Sequence, residues 1–268
     1  MQQAAFDALD LQARYLLWET PPGTLPARIA SLRSAEVLGA NVTIPYKEAA
    51  VPLLDECDPT ATRIGAINTI VHRNGRLVGY NTDAPGFLHA LAECVGCSFD
   101  SHGKKAVILG TGGAARAAAV ALLENGAAEL TLLGRTAAHI ERLLQHLQTL
   151  TAQMQPPPRV HGELLTSPAA NTFLASADLL VNATPIGRKA DDPLLCDVNA
   201  LPARALVMDM IFNPPLTPLL SAAQTHGCQS LNGLAMLLYQ GALAFEKWTA
   251  RPAPLEIMRR ALGLVTEE

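Results

Sequence analysis

Gly110-x-Gly112-Gly113-x-x-Arg116 lies between a short aliphatic run, Ala106-Val107-Ile108-Leu109, and an alanine-rich segment, Ala114 to Glu124, that reads as a helix ended by Asn125-Gly126. Glycines placed there let the backbone approach a pyrophosphate, and the free N–H groups and dipole of a helix N-terminus favour its negative charge. The alternative is a glycine turn needed only to pack helix tightly on strand. A second aliphatic run, Leu130-Thr131-Leu132-Leu133, supplies the strand, turn, helix, strand context that a dinucleotide site requires. After it comes Gly134-Arg135-Thr136, not the Asp or Glu that holds the ribose hydroxyls of NAD. An arginine there can pair with an adenosine 2′-phosphate and stack on adenine, and the threonine hydroxyl can add a hydrogen bond. The expected cofactor is therefore NADP; otherwise Arg135 is a solvated surface charge.

A second constellation lies upstream, in Asn41-Val42-Thr43-Ile44-Pro45-Tyr46-Lys47, Ala66-Ile67-Asn68-Thr69 and Asn81-Thr82-Asp83. Each segment sets small polar side chains at a strand end and leaves one strong group: Lys47, Asn68 or Asp83. Taken singly, each also reads as a turn or a cap; Thr82-Asp83 could cap a helix beginning near Pro85.

The elements that must carry these groups follow from pattern. Ala4, Ala5, Ala8 and Leu9 fall at helical spacing, Ala13 to Trp18 reads as a strand closed by Pro21-Pro22-Gly23, and a helix follows from about Leu25 to Leu38. Gly39 to Ile44 reads as a strand stopped at Pro45, which has no N–H to give. Ile67 to Asn81 reads as a hairpin about Arg73-Asn74-Gly75. Beyond the glycine motif come a helix over Ala137 to Leu150, a loop at Gln155-Pro156-Pro157-Pro158, strands at Leu179 to Val181 and Leu206 to Met208, and helices over Leu231 to Trp248 and Leu255 to Leu264. Apolar runs alternating with helices indicate an α/β fold whose parallel sheet is covered on both faces.

The composition limits the partners. Among 268 residues, 49% are hydrophobic and 16% charged, which excludes a disordered chain. With 20 Lys and Arg against 24 Asp and Glu the net charge is −4, so no basic surplus is available for nucleic acid or anionic lipid. No apolar run reaches the ~18 residues needed to span a bilayer, and the N-terminus lacks the basic-then-apolar order of a signal peptide. The five cysteines are too scattered for a disulfide scaffold, as expected in a reducing cytoplasm. Cys94-x-x-Cys97 has neither a second pair nor a ligand-spaced histidine, so no metal site is expected.

The segments NVTIPYK, GAINT, NTD, GTGGAAR, GRT, NATPIG and NGLAMLLYQ, in this order, resemble the shikimate/quinate dehydrogenase family over nearly the whole chain. The resemblance implies an NADP-dependent oxidoreductase that interconverts 3-dehydroshikimate and shikimate on the route to chorismate and aromatic amino acids. Quinate or an aminated analogue is the alternative substrate. It implies two domains: an N-terminal α/β substrate domain over residues 1–83, completed by C-terminal helices within 233–268, and a Rossmann-like NADP domain over 84–232. Lys47 and Asp83 become the catalytic pair flanking the oxidised hydroxyl, with Thr43, Asn68 and Gln240 as partners of the ring hydroxyls. Tyr239 is either core or a lid contact.

For the cofactor, the resemblance implies Gly110, Thr111, Gly112, Gly113 and Ala114 on the pyrophosphate and Arg135 and Thr136 on the 2′-phosphate. Ala183, Thr184, Ile186, Met208, Gly233 and Met236 then lie on the nicotinamide side, although methionines at such places are also ordinary core residues. The protein is expected to be a cytoplasmic monomer or homodimer with small-molecule partners. The sequence also departs from the family. Gly134 replaces the usual Asn before the arginine, which softens the preference for NADP. The family's opening strand and Ser-x-Ser-Pro segment, whose hydroxyls bind the substrate carboxylate, have no counterpart, because Met1 aligns with the methionine of the helix that follows them. The expectation is a missing N-terminal piece; the alternatives are a diverged paralogue and a catalytically silent NADP-binding protein.

Overall fold

A computed structural model describes residues 1–94 and 99–264. It forms two compact units, Met1–Gly86 with Leu237–Glu268, and Phe87–Met236. Cys97, and with it the Cys94-x-x-Cys97 pair, lies outside the described residues.

In the first unit, α1 (Gln2–Ala8) and α2 (Leu25–Ser31) precede β1 (Gly39–Asn41), β2 (Glu56–Cys57) and α3 (Pro59–Ile64). Helix α3 is delimited locally: the Asp58 carboxylate accepts from Ala61 N–H at 2.7 Å, Pro59 opens the first turn, and Gly65 closes the helix at φ 70°. Strands β3 (Thr69–Arg73) and β4 (Arg76–Tyr80) then form the expected hairpin, with Asn74 and Gly75 at φ 51° and 78°, the positive pair that a tight turn demands. The sheet order is β1-β3-β4-β2. Helix α4 (Asp83–Ala92) leaves this sheet directly after β4.

The second unit is a parallel sheet interleaved with helices: β5 (Lys105–Leu109), α5 (Gly113–Glu124), β6 (Glu129–Gly134), α6 (Ala137–Thr151), β7 (Arg159–Leu164), α7 (Ala170–Leu174), β8 (Leu179–Asn182), β9 (Leu206–Asp209), α8 (Pro218–Thr225) and β10 (Gln229–Leu231). All five neighbouring pairs are parallel, and the order is β10-β9-β8-β5-β6-β7. The chain therefore starts in the middle at β5, winds outward through β6 and β7, and returns to place β8 on the other side of β5. That reversal defines the switch point of a doubly wound, Rossmann-like sheet. Leu109, Leu133, Leu180 and Val207 are buried on one face of it beneath α7 and α8 residues such as Leu174 and Leu220.

The closing helices α9 (Leu234–Thr249) and α10 (Leu255–Ala261) serve the first unit, where Leu238, Phe245 and Met258 bury against Ala5 and Phe6 of α1. The Phe6 and Phe245 rings lie 5.2 Å apart. Trp248 Nε1 donates to the Ile70 carbonyl of β3 at 2.9 Å, and a Cβ on Gly39 would sit 2.1 Å from that same oxygen.

The expected strand over Ala13 to Trp18 does not form. A strand is stabilised by its neighbour, and this run joins no ladder: Tyr15 N–H donates to the Gln3 side chain instead, and Leu17 is 93% exposed. The helix expected to run to Leu38 stops at Ser31 and gives way to turns over 32–36, after which the Leu38 carbonyl accepts from His72 N–H at 2.9 Å. The strand expected to reach Ile44 ends at Asn41. Further elements, β2, β7, α7 and β10 among them, carried too little periodicity to be expected.

Two expectations follow for stability. Phe245→Ala should lower the unfolding free energy by about 3–5 kcal/mol in urea titration, as expected for truncating a fully buried aromatic ring. Asp55 is held down at about 2 by the Arg33 guanidinium and the Leu77 N–H. A depressed carboxylate stabilises the fold above its unfolded pKa and loses that contribution as pH falls toward its folded one. The decline of the melting temperature below about pH 4 should therefore be shallower in Asp55→Asn than in the wild type.

Candidate functional site

Lys47, Asn68, Asp83 and Gln240, drawn from distant parts of the sequence, meet within the first unit. Lys47 follows the cis Ile44-Pro45 bond, and its carbonyl accepts from Ile67 N–H at 2.9 Å, which ties it to the residue before Asn68. Its Nζ lies 2.6 Å from Asp83 Oδ2, an ion pair with side chains 14% and 5% exposed. The other oxygen, Oδ1, accepts from Asn68 Nδ2 at 2.8 Å. Asp83 opens α4, where its negative charge is favoured by the helix dipole.

The orientation of the Asn68 amide is fixed by its partners. Thr82 N–H donates to Asn68 Oδ1 at 2.7 Å, so the NH2 group must face Asp83, Thr82 Oγ1 and Gln240 Oε1, at 2.8, 2.9 and 3.2 Å. Gln240 is held from behind by its own Nε2, which donates to the Leu237 carbonyl at 2.8 Å. Gly86 of α4 lets α9 come this close: a Cβ there would be 2.7 Å from Gln240 N. Thr43 is exposed two residues beyond β1. Tyr239 turns toward α10, where its hydroxyl accepts from Arg259 at 3.4 Å.

Sequence reasoning passed over the residues that support this cluster. Asn41 donates to the Asn68 carbonyl and to Thr69 Oγ1, both at 3.2 Å, and Asn81 Oδ1 accepts from Asp83 N–H at 3.1 Å. Both asparagines lie within the quoted segments, but only the paired strands show which group each one faces.

In the second unit the glycine motif occupies the switch point. Gly110, at φ 112°, donates to the Leu133 carbonyl of β6, and a Cβ on it would meet the Ala183 carbonyl at 3.3 Å and Thr184 Cγ2 at 3.2 Å. The loops after β5 and β8 thus face each other at the carboxyl ends of their strands. Gly112 caps α5 with no side chain bonded to the first-turn N–H groups, and a Cβ there would point into open space. Gly113 and Ala114 begin the helix, and Thr111 packs its methyl toward Gly134. Arg135 and Thr136 are exposed just past β6. This donor set suits a dinucleotide: uncapped N–H groups and room for a pyrophosphate, and an exposed guanidinium one strand away for a further phosphate.

Asn182 organises the other loop. Its Oδ1 accepts from Thr184 N–H and Oγ1 at 3.0 and 2.8 Å, and its Nδ2 donates to the Ile186 carbonyl at 3.0 Å. Gly233 lies so close to β9 that a Cβ would stand 2.2 Å from the Met210 carbonyl. Met208 has no exposed surface and belongs to the core, since it lies inside β9 between Val181 and Leu231. Met236 is also buried, at 7% exposure. Met210, just past the strand end, is half-buried. Among the described residues no three His, Cys, Asp or Glu side chains gather as metal ligands.

The family model for the shikimate dehydrogenase substrate binding domain matches residues 1–70, and that for the shikimate 5′-dehydrogenase C-terminal domain matches 233–262. A shikimate dehydrogenase (NADP(+)) of Symbiobacterium thermophilum is 44% identical over 97% of this chain and 87% of its own length. The chain belongs to the shikimate dehydrogenase family. A solved shikimate 5-dehydrogenase of Thermus thermophilus, in complex with NADP(H) and shikimate, superposes with a TM-score of 0.82 at 35% identity, covering 97% of this chain and 91% of that one. A quinate dehydrogenase of Corynebacterium glutamicum in complex with NAD gives 0.85 at 28% identity, covering 98% and 93%. The shikimate dehydrogenase fold is thus shared across substrates and nicotinamide cofactors, and the side chains of each site must decide between them.

Asn68→Ala would strip a buried donor from Asp83 and leave Thr82 N–H without its acceptor. Unfolding in urea should show a loss of about 1–3 kcal/mol.

Proposed function

We propose that this chain is an NADP-dependent shikimate dehydrogenase, reducing 3-dehydroshikimate to shikimate and running in reverse with NADP⁺. The observation that carries the reading is the Lys47 and Asp83 pair, 2.6 Å apart and nearly buried, with Asn68 and Gln240 beside it. The substrate domain is assigned to residues 1–83 with 233–268, and the NADP domain to residues 84–232.

When bound, NADPH supplies the hydride. As the ketone carbon is reduced, negative charge builds on its oxygen. The Lys47 ammonium, with hydrogen-bonding capacity beyond its bond to Asp83, stabilises that charge and passes a proton to the oxygen. Asp83 keeps the ammonium oriented and accepts from a neighbouring substrate hydroxyl. Asn68 and Gln240 present an amide NH2 and an amide oxygen joined at 3.2 Å, a bond that a ring hydroxyl could replace by accepting from one and donating to the other. Thr43, exposed beyond β1, is the remaining hydroxyl partner. Gly110 to Ala114 would hold the pyrophosphate, Arg135 and Thr136 the 2′-phosphate, and Ala183, Thr184, Ile186, Gly233 and Met236 the nicotinamide side. Met208 is dropped from that set because it is fully buried. No described helix is long and apolar enough to cross a membrane. The proposed enzyme is cytoplasmic and acts on small molecules, as a monomer or homodimer.

NADPH formation with shikimate and with quinate tests the assignment, and no turnover with either would overturn it. Lys47→Ala should lower turnover by orders of magnitude while NADPH affinity, read by fluorescence titration, stays near the wild-type value. Arg135→Ala should weaken NADPH binding by about 10-fold or more and narrow the preference for NADPH over NADH, as expected for loss of a charge-assisted phosphate contact.

A further inference from the structure

Asp209 ends β9 with no exposed surface, and no catalytic step uses it. Among the described residues its oxygens meet only uncharged donors: Asn182 Nδ2 at 3.0 Å and Ile211 N–H at 3.0 Å on Oδ1, and the Thr217 hydroxyl at 2.7 Å on Oδ2. Burial pushes its carboxyl above the ordinary carboxylate range, while these donors pull the other way. A buried carboxylate without a cation is costly, and a plain apolar residue would fill a strand end at less cost.

What the carboxylate achieves is a junction. Asn182 fixes the loop that carries Ala183, Thr184 and Ile186, through bonds to Thr184 and to the Ile186 carbonyl. Gly187 closes that loop against Asp209 at φ 117°, with the position of its absent Cβ 3.6 Å from Oδ2. Ile211, whose N–H is held by Asp209, gives its carbonyl to Gly233 N–H at 3.0 Å. Thr217 caps α8 through Leu220 N–H. Two segments far apart in sequence, the 183–187 loop and the turn at Gly233, each bear a residue assigned above to the nicotinamide side and are thereby set from one acidic side chain.

We propose that Asp209 is the positioning residue of the nicotinamide side of the NADP site, holding the 183–187 loop and the Ile211 to Gly233 contact in the geometry that receives the ring. The proposal rests on the NADP-binding reading above. Asp209→Asn keeps the shape but leaves one acceptor oxygen in place of two, so either the Thr217 hydroxyl proton or the Asn182 and Ile211 donors lose their acceptor. Thr217→Val removes both the donor to Oδ2 and the cap of α8 while leaving the hydrogen bonds of the 183–187 loop itself in place, and Thr217→Ser restores both.

The probes are NADPH and 2′-phospho-ADP-ribose, which carries the same phosphates but no nicotinamide, titrated against full-length protein alongside thermal melts. Asp209→Asn and Thr217→Val should weaken NADPH binding by about 10-fold or more while binding of 2′-phospho-ADP-ribose stays unchanged, and Thr217→Ser should match the wild type. Should Asp209→Asn fail to fold, the two Thr217 variants carry the test. Equal loss of both probes in a folded variant would make Asp209 a merely structural residue and overturn the proposal, as would unchanged NADPH binding. Wild-type protein that binds no NADPH would overturn the cofactor assignment and this proposal with it.

Discussion

A carboxylate kept nearly out of water needs a cation and donors arranged before it is buried, and Asp83 sets that requirement for the whole first unit. Lys47 must arrive from the end of one segment, Asn68 from the start of β3, and Thr82 from the end of β4, within hydrogen-bond range of one another. The hairpin turn at Asn74-Gly75 fixes the register that sets Thr69 opposite Tyr80, and so brings Asn68 beside Thr82 and Asp83. Helix α9 must then approach α4 closely enough for Gln240 to reach Asn68, which Gly86 permits. Sheet, turn and helix packing therefore converge on a single ion pair with the hydrogen-bonding capacity for proton transfer.

The second unit answers a different constraint, the close approach of backbone to backbone and to ligand. Gly110 and Gly233 sit where a side chain would meet a carbonyl, and Gly112 where it would fill the space before the helix. The parallel order with β5 at its centre brings two loops together at the carboxyl ends of neighbouring strands, where helix dipoles and free N–H groups also point. Buried Asn182 and Asp209 hold the far side of that opening with hydrogen bonds alone.

Much of this was legible in the chain. Asn74-Gly75 marked the hairpin, and the glycine motif between two aliphatic runs marked β5, α5 and β6, because these signals are local: a positive φ, a short apolar run, a helical period. The run from Ala13 to Trp18 misled for the same reason. It has the composition of a strand, but no composition supplies the neighbour that a strand needs, and here Gln3 takes up the Tyr15 N–H instead. Met208, placed on the nicotinamide side by the resemblance, is covered inside β9 by the neighbouring strands, which no local signal reveals.

By itself, the sequence determined the chemistry on offer: an ammonium, a carboxylate, amides, a glycine loop and an arginine where a phosphate could bind. Residue types and short spacings are enough for that, since they reflect local backbone conformation and side-chain functional groups. Only the tertiary structure decided which of these meet. The direction of the Asn68 amide, the reach of Gln240 across most of the chain, and the junction at Asp209 are long-range hydrogen bonds. Their partners are fixed by strand register and helix packing, which no window of the sequence contains.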